Sequence, residues 1–196
     1  MPTKPLTCMD NMADDAKVTR FQATILPHLA SALNLARWLT GHDQDAEDLA
    51  QESYLRAFRY FDSFDGRNCR AWLLSIVRNV FYSSYRARQS AGVQIPIAEL
   101  TEGLDFNTEL LNFSANTEVE QLLMRHDDHR LVHQALQRLP AEFREILVLR
   151  ELEDLPYKEI SMVAGIPIGT VMSRLARARK MLADHLLKTC ESGCLP

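Results

Sequence analysis

Residues 157–182, YKEISMVAGIPIGTVMSRLARARKML, carry the clearest structural pattern in the sequence. Apolar residues recur at helical spacing on both sides of the segment GIPIG at 165–169, which predicts a helix, a short turn and a second helix. At roughly 100° per residue, one face of the second helix carries Val171, Leu175, Ala178 and Leu182, and the nearly opposite face carries Thr170, Ser173, Arg174 and Arg177. This pattern is typical of a helix-turn-helix unit, whose second helix enters the DNA major groove.

The polar face of the second helix has the chemistry that a major groove requires. Arginine can form paired hydrogen bonds with guanine edges, and serine or threonine can bind bases or phosphates. No acid lies between Glu159 and Asp184, so the basic residues Arg174, Arg177, Arg179 and Lys180 form a local positive field. Two structural alternatives stay open: Thr170 could cap the helix start, and the basic residues could simply be a solvated surface.

The rest of the chain also shows helical periodicity, and the sequence predicts an all-α protein. The predicted helices are 21–39, 44–61, 69–88, 128–138, 141–152, 157–164 and 169–187. Between about Gln89 and Met124 the periodicity fades among glycines, prolines and acids, which indicates a linker. We therefore expect two small helical domains, an N-terminal three-helix unit and a C-terminal four-helix unit, joined by a flexible acidic linker.

The predicted helix 45–61, DAEDLAQESYLRAFRYF, has one ordinary face and one unusual face. The ordinary face is apolar, with Ala46, Leu49, Ala50, Ala57 and Phe61. On the other face, Asp48, Gln51, Glu52 and Arg59 surround Leu55. A single exposed leucine is common in proteins. An apolar centre with a polar ring is also the composition of a small protein-binding hot spot.

The predicted helix 69–88 follows the loop Asp65-Gly66-Arg67-Asn68 and lies in a stretch without acids, from Asp65 to Glu99. Its inward positions are Leu73, Ile76, Val77 and Val80, and its outward positions are Ser75, Arg78, Asn79, Tyr82 and Arg86. Cations bind phosphates, while amides and aromatic rings bind exposed bases, so this face suits single-stranded nucleic acid. The alternative is that Tyr82 only covers the edge of the core.

The composition excludes several classes of protein. The chain has 196 residues, of which 46% are hydrophobic and 24% are charged, as in globular proteins. No run approaches the roughly 18 apolar residues of a membrane span, so we expect no membrane insertion. The net charge of −4 averages two local basic stretches and an acidic segment at 91–128, and local positive charge is what binds a polyanion.

Cysteine and histidine suggest no catalytic or metal chemistry. Cys8, Cys69, Cys190 and Cys194 lack zinc-site spacing, and we expect structural roles, with redox or metal chemistry left open for the last two. His129 and His133 are four residues apart and could share a metal, but the favoured interpretation is two helix-surface residues. Nucleophile–base motifs and phosphate loops are absent from the sequence. The prediction is a non-enzymatic protein with no catalytic residue, metal or cofactor.

Four strings together carry a family resemblance: DAEDLAQESYLRAF, FDGRNCRAWLLSIVRN, LPAEFREILVLRELEDLPYKEIS and GTVMSRLARARKML. In this order and at this separation they resemble the two conserved domains of the extracytoplasmic-function (ECF) sigma factors of bacterial RNA polymerase. The resemblance implies sigma region 2 at 21–90 and sigma region 4 at 128–189. It places a linker at 91–127, a disordered N-terminal extension at 1–20 and a tail at 190–196.

The resemblance also implies a function for each surface. A sigma factor binds core polymerase and directs it to promoters, so the implied partners are the β′ clamp helices, the β flap, promoter DNA and an anti-sigma factor. The resemblance assigns polymerase binding to Asp45, Asp48, Gln51, Glu52 and Leu55. It assigns binding of the minus-ten element to Asp65, Gly66, Arg67, Asn68, Arg78, Asn79, Tyr82 and Arg86. It assigns recognition of the minus-thirty-five element to Thr170, Ser173, Arg174, Arg177 and Lys180.

Two positions differ from the family pattern. Met172 stands where the family often has a basic residue, and Arg67-Asn68-Cys69 differs from the serine-rich loop of the family, so the promoter preference is open. The acidic linker is expected to mimic RNA through Glu99, Glu102, Asp105 and Glu109.

The expected location of the protein is the cytoplasm, where it is either free or held at the inner membrane face by a membrane-bound anti-sigma factor. Control by stress or another signal is implied.

In the free state the two domains are expected to be loosely tethered or packed on each other, with weak DNA affinity in the absence of polymerase. The alternative is a helix-turn-helix repressor or activator with an N-terminal dimerisation or sensor domain. That alternative predicts a dimer and palindromic half-sites, and it leaves Leu55 and its polar ring unexplained.

Overall fold

A computed structural model of the protein describes residues 9–90 and 131–192, and the regular secondary structure of these two stretches is helical throughout. The helices are α1 (Met9–Ile25), α2 (Leu29–Thr40), α3 (Asp43–Tyr60), α4 (Cys69–Ser90), α5 (131–137), α6 (Ala141–Leu147), α7 (Tyr157–Ala164) and α8 (Ile168–Ser192). Short 3-10 helices occupy Leu26–His28 and Phe61–Ser63, and a π-helix at Val148–Leu152 continues α6. The predicted all-α fold with two helical units is confirmed.

The N-terminal unit is built on α2, α3 and α4, which pack against one another. Its core contains fully buried side chains from α2 and α4, among them Leu35, Leu73 and Val77. Gly41 ends α2 in the left-handed conformation, with φ of 78°, and so lets the chain turn directly into α3. Glycine reaches that conformation without the steric cost that other residues bear.

The start of the chain differs from the sequence prediction in two ways. Residues 1–20 were predicted to be disordered, which is wrong from Met9 onward because α1 spans Met9–Ile25. Contacts remote in sequence hold this helix: the Phe21 ring lies 5.2 Å from the Phe61 ring, and Lys17 Nζ lies 2.6 Å from an Asp62 carboxylate oxygen. The helix predicted over 21–39 is also interrupted, at the 3-10 helix that contains Pro27.

The C-terminal unit contains the helix-turn-helix. Helices α7 and α8 meet at Gly165, which has φ of 65° and donates its backbone N–H to the Ser161 carbonyl at the end of α7. Ile166 donates to the same carbonyl. Val171, Leu175 and Ala178 of α8 are buried, as predicted from their spacing. The first residues of α8 are thereby held at a fixed angle to α7.

The two units pack on each other: α4 lies against α7, and α2 lies against α6. Buried apolar residues of both units belong to one continuous core. The predicted linker at 91–127, with the four acidic residues that were expected to mimic RNA, lies outside the described residues. So do Cys8, Cys194, His129 and the end of the predicted tail.

Two glycines of the helix-turn-helix provide a stability test. A Cβ atom added at Gly165 or Gly169 meets no atom within 4 Å, so backbone conformation alone decides the effect. Gly165→Ala should lower the free energy of unfolding by about 1 kcal/mol because the left-handed conformation opposes a side chain. Gly169→Ala should raise it by roughly 0.5 kcal/mol because alanine favours the helix. Urea unfolding followed by circular dichroism measures both, and a change of the same sign in both variants would contradict this account.

Candidate polymerase and nucleic-acid interfaces

The outer face of α3 presents the predicted polymerase-binding residues. Leu55 is 64% exposed, while the opposite face of α3 is buried through Ala46, Leu49, Ala50 and Ala57. Asp48, Gln51 and Glu52 are exposed and Asp45 is half-buried. Glu52 accepts a hydrogen bond of 2.6 Å from Arg56 Nε, one turn further along the helix. An apolar side chain thus projects into solvent among acidic and amide groups on a rigid helix.

The loop before α4 is ordered by its own side chains. Arg67 donates its backbone N–H to Asp65 Oδ1 at 2.9 Å, and Ala71 donates its backbone N–H to Asn68 Oδ1 at 3.1 Å. Asn68 therefore caps the start of α4. Gly66 and Asn68 both have positive φ, at 79° and 37°. All four loop residues are exposed, and the loop projects the Arg67 guanidinium outward.

The predicted nucleic-acid face of α4 is divided into an open part and a covered part. Asn79 and Arg86 are exposed. Arg78 and Tyr82 lie instead against the C-terminal unit, where both bind Glu145 of α6. Arg78 Nε donates to Glu145 Oε1 at 2.5 Å, and Tyr82 Oη donates to Glu145 Oε2 at 2.9 Å. The Arg78 guanidinium also lies 4.7 Å from the centre of the Tyr82 ring.

The electrostatics of this cluster follow from its burial. Glu145 is only 1% exposed, and burial raises the pKa of its carboxyl group, while the charge of Arg78 and the two hydrogen bonds oppose that shift. Burial, followed by the negative charge of Glu145, also raises the pKa of Tyr82. Both Glu145 oxygens accept hydrogen bonds, which is the arrangement of an ionised carboxylate. Arg78 and Tyr82 thus hold a buried anion.

A second buried carboxylate joins the units nearby. Glu153, which follows the π-helix, is 5% exposed and accepts hydrogen bonds from Arg70 of α4 and from Asn34 of α2, the latter at 2.6 Å. Arg70 Nε also donates to Ser31 Oγ at 3.1 Å. Sequence reasoning missed Glu145 and Glu153. The string FREILVLRELEDL at 143–155 contains four acids, and no local signal distinguishes the two buried ones from the exposed Glu151 and Asp154.

Two further residues complete the contact between the units. Arg144 donates to the Gln137 side chain and, across the interface, to the Leu39 carbonyl at 3.3 Å. Burial lowers the pKa of Arg144 to about 10, so it stays charged at neutral pH.

His133 also packs against the N-terminal unit: its ring lies 4.9 Å from the Trp38 ring of α2. Burial and Arg144 lower the pKa of His133, with Asp43 opposing them. His133 was predicted to be a helix-surface residue; it is half-buried and packs against the other unit through Trp38.

The exposed face of α8 contains most of the predicted groove-reading residues. Ser173, Arg177 and Lys180 are exposed, and Thr170 and Arg174 are half-buried. Arg174 Nη2 lies 2.9 Å from a Glu142 carboxylate oxygen, and Arg179, on another side of the helix, binds Glu151 at 2.6 Å. Ser173 Oγ donates to the Thr170 carbonyl at 3.1 Å. Arg177 and Lys180 are therefore the exposed basic residues among the predicted groove-reading set. Met172 is exposed beside them.

The described residues show no metal centre. No group of three histidine, cysteine or acidic side chains that could hold an ion occurs within 9–90 and 131–192. Cys69 is half-buried, its thiol donates to the Thr24 carbonyl, and burial raises its pKa. Within the same ranges, no helix has the length and apolar character needed to cross a bilayer.

Two helical units, one with an exposed helix-turn-helix and one with a basic and aromatic helix, define a two-domain DNA-binding protein. The model of the sigma-70 region 2 family matches residues 24–91, and that of the sigma-70 region 4 family matches residues 129–182. The chain belongs to the ECF RNA polymerase sigma factors, as its motifs predicted. It is a transcription factor that directs RNA polymerase to promoters.

Individual relatives agree with this assignment. The chain is 33% identical to the ECF RNA polymerase sigma factor SigE of Mycolicibacterium smegmatis, over 91% of this chain and 66% of that protein. It is 32% identical to the RNA polymerase sigma-H factor of Pseudomonas aeruginosa, over 90% of this chain and 88% of that protein. Among solved structures, the sigma factor RpoE of Bartonella quintana, crystallised with the anti-sigma factor NepR, matches with a TM-score of 0.66 and 30% identity. That match covers 86% of this chain and 97% of that one.

Proposed function

We propose that this sigma factor divides promoter recognition among three surfaces. The outer face of α3 docks on the clamp helices of the polymerase β′ subunit. The loop Asp65–Asn68 and α4 bind the single-stranded minus-ten element, and the exposed face of α8 reads the duplex minus-thirty-five element. The observation that carries this proposal is Leu55, a large apolar side chain held in solvent on a rigid helix and ringed by polar groups. Such an arrangement suits a protein-binding hot spot.

The chemistry of the two DNA surfaces supports the same division. Capture of an unstacked base costs a few kcal/mol, and a preformed pocket can offset part of that cost. The ordered loop before α4, with its outward arginine, offers preformed contacts, and the exposed Asn79 amide lies about three turns further along the helix. The α8 surface offers Arg177 for a base edge and Ser173 or Lys180 for phosphates.

The remaining assignments follow from the same division. Region 2 occupies 21–90, residues 91–127 connect the units, region 4 occupies 128–189, and residues 190–196 follow it as a tail, the first three of them within α8. Region 4 also contacts the β flap, the protein performs no catalysis of its own, and it acts in the cytoplasm. We further propose control by an anti-sigma factor, because a solved relative at 30% identity was crystallised with one.

Transcription from fragmented genomic DNA tests this function. Purified core polymerase is assayed with and without the protein, and the 5′ ends of the RNAs are mapped. The expected result is a set of new start sites that share two upstream elements. An absence of new starts with active core enzyme would contradict the proposal. Protection of a palindromic site by a dimer of the protein would instead favour a conventional helix-turn-helix regulator.

A further inference from the structure

We propose that Glu145 and Glu153 form an internal clasp that, in the free protein, occupies part of the minus-ten surface, Arg78 and Tyr82, together with the neighbouring Arg70. This inference rests on the proposed function of α4. Both carboxylates come from the C-terminal unit, and their partners on α4 are Arg70, Arg78 and Tyr82. A carboxylate held by arginine and tyrosine presents the same acceptor chemistry as a nucleic-acid phosphate. The clasp and a DNA strand therefore compete for the same donors.

The pattern along α4 shows that the clasp covers a continuous stripe. Residues 70, 74, 78 and 82 are spaced by four, so they lie along one side of the helix. Leu74, between the two clasp arginines, is 0% exposed. The charged members of the stripe are half-buried, and α7 packs against the same helix. A DNA strand cannot reach this stripe while the two units remain in contact.

The clasp is polar, which makes it reversible. Buried ion pairs give up hydration when they form, so they contribute less net stability than their short distances indicate. If the units separate, arginine can exchange a carboxylate for a phosphate, and the free carboxylate can return to water. Opening in the presence of DNA thus replaces one set of charge-assisted hydrogen bonds with another. Apolar residues of both units also share one core, and the exposure of these residues on opening favours the closed state.

The masking is selective. Leu55 on α3 and the Ser173, Arg177 and Lys180 side chains on α8 are exposed in the closed structure. The closed protein can therefore present its polymerase-binding face and its groove-reading helix while it withholds the strand-binding stripe. A sigma factor with this arrangement would not bind single-stranded DNA through the covered stripe before it binds polymerase.

The test compares two double variants in the full-length protein without polymerase. Glu145→Gln/Glu153→Gln removes both clasp charges at almost constant volume. Glu47→Gln/Asp154→Asn also removes two charges, at exposed positions outside the clasp and outside α8. The probe is a fluorescein-labelled single-stranded oligonucleotide of mixed sequence, and its affinity is measured by fluorescence polarisation. Because no polymerase is present, this result is independent of whether the transcription assay succeeds.

We expect the clasp variant to bind the oligonucleotide about tenfold more tightly than the unmodified protein, as when a closed state populated about ten to one is released. The control variant should change affinity by less than about twofold, the effect of net charge alone. An increase in the radius of gyration, measured by X-ray scattering, should accompany the tighter binding. Equal affinities for the clasp variant and the unmodified protein, or equal gains in both variants, would overturn the proposal.

A second measurement needs no substitution, in case the clasp variant does not fold. Binding of a strand and closure of the clasp oppose each other, so saturating oligonucleotide must open the unmodified protein. The His133 imidazole reports on this step, since it packs on Trp38 across the interface and its pKa is lowered by burial. We expect the oligonucleotide to increase the radius of gyration and to raise the His133 pKa, followed by NMR, toward 6.5. A strand-bound protein that stays compact with an unchanged His133 pKa would overturn the proposal.

Discussion

Leu55→Asp is expected to lower the affinity for core RNA polymerase by roughly 30- to 1000-fold, the range of 2 to 4 kcal/mol found for hot-spot residues. The leucine is 64% exposed in the free protein, so its apolar surface gains from burial only when a partner covers it. An aspartate there would add an unpaired charge at the centre of the contact, next to Asp48 and Glu52. Transcription from the mapped promoters should fall in parallel.

The control for this prediction is another exposed leucine. Leu187 on α8 is 63% exposed, so Leu187→Asp makes the same chemical change at nearly the same exposure but away from α3. Neither substitution should alter the unfolding free energy by more than about 0.5 kcal/mol, as is usual for surface sites. Binding is measured by biolayer interferometry with immobilised core enzyme. If Leu55→Asp and Leu187→Asp weaken binding equally, or if neither does, α3 is not the docking surface.

The exposed faces of single helices were predictable because they depend on local spacing. The angular pattern of 45–61 placed Leu55 outside, and the pattern of 157–182 placed Val171, Leu175 and Ala178 inside. Gly165 marked the turn because a left-handed residue is needed where α7 ends. Periodicity of about 3.6 residues encodes such information directly.

The contacts between the units were not predictable in this way. Glu145 binds Arg78 across 67 positions of sequence, and Glu153 binds Arg70 across 83. No local pattern relates residues so far apart. Arg78 and Tyr82 were correctly predicted to leave the core of their own unit, but a face turned away from one unit can be buried by another. Distant contacts also explain why α1 was missed. Its polar sequence gives weak periodicity, and its contacts come from α3, the segment after α3 and α4.

Arg177→Ala is expected to weaken binding to the duplex minus-thirty-five element by about 5- to 150-fold, the range for an arginine that binds a base edge. Arg177 is exposed on the face of α8 opposite Val171, Leu175 and Ala178. Arg174 is half-buried and already contacts Glu142. Its replacement by alanine should have a smaller effect, because part of its charge is neutralised within the protein.

Arg179→Ala is the matched control, since it removes the same side chain from the same helix on the side that faces Glu151. At roughly 100° per residue, Arg179 points about 200° away from Arg177. The loss of Arg179 should change DNA affinity by less than about threefold, which is the cost of one distant charge.

The measurement is fluorescence polarisation with a duplex of the mapped element and with a scrambled duplex, at two salt concentrations. If Arg177 binds a base, its variant loses affinity for the mapped duplex and much less for the scrambled one. Equal losses on both duplexes would assign Arg177 to a phosphate, and equal losses in the Arg177 and Arg179 variants would show that α8 contributes general charge and does not read the groove.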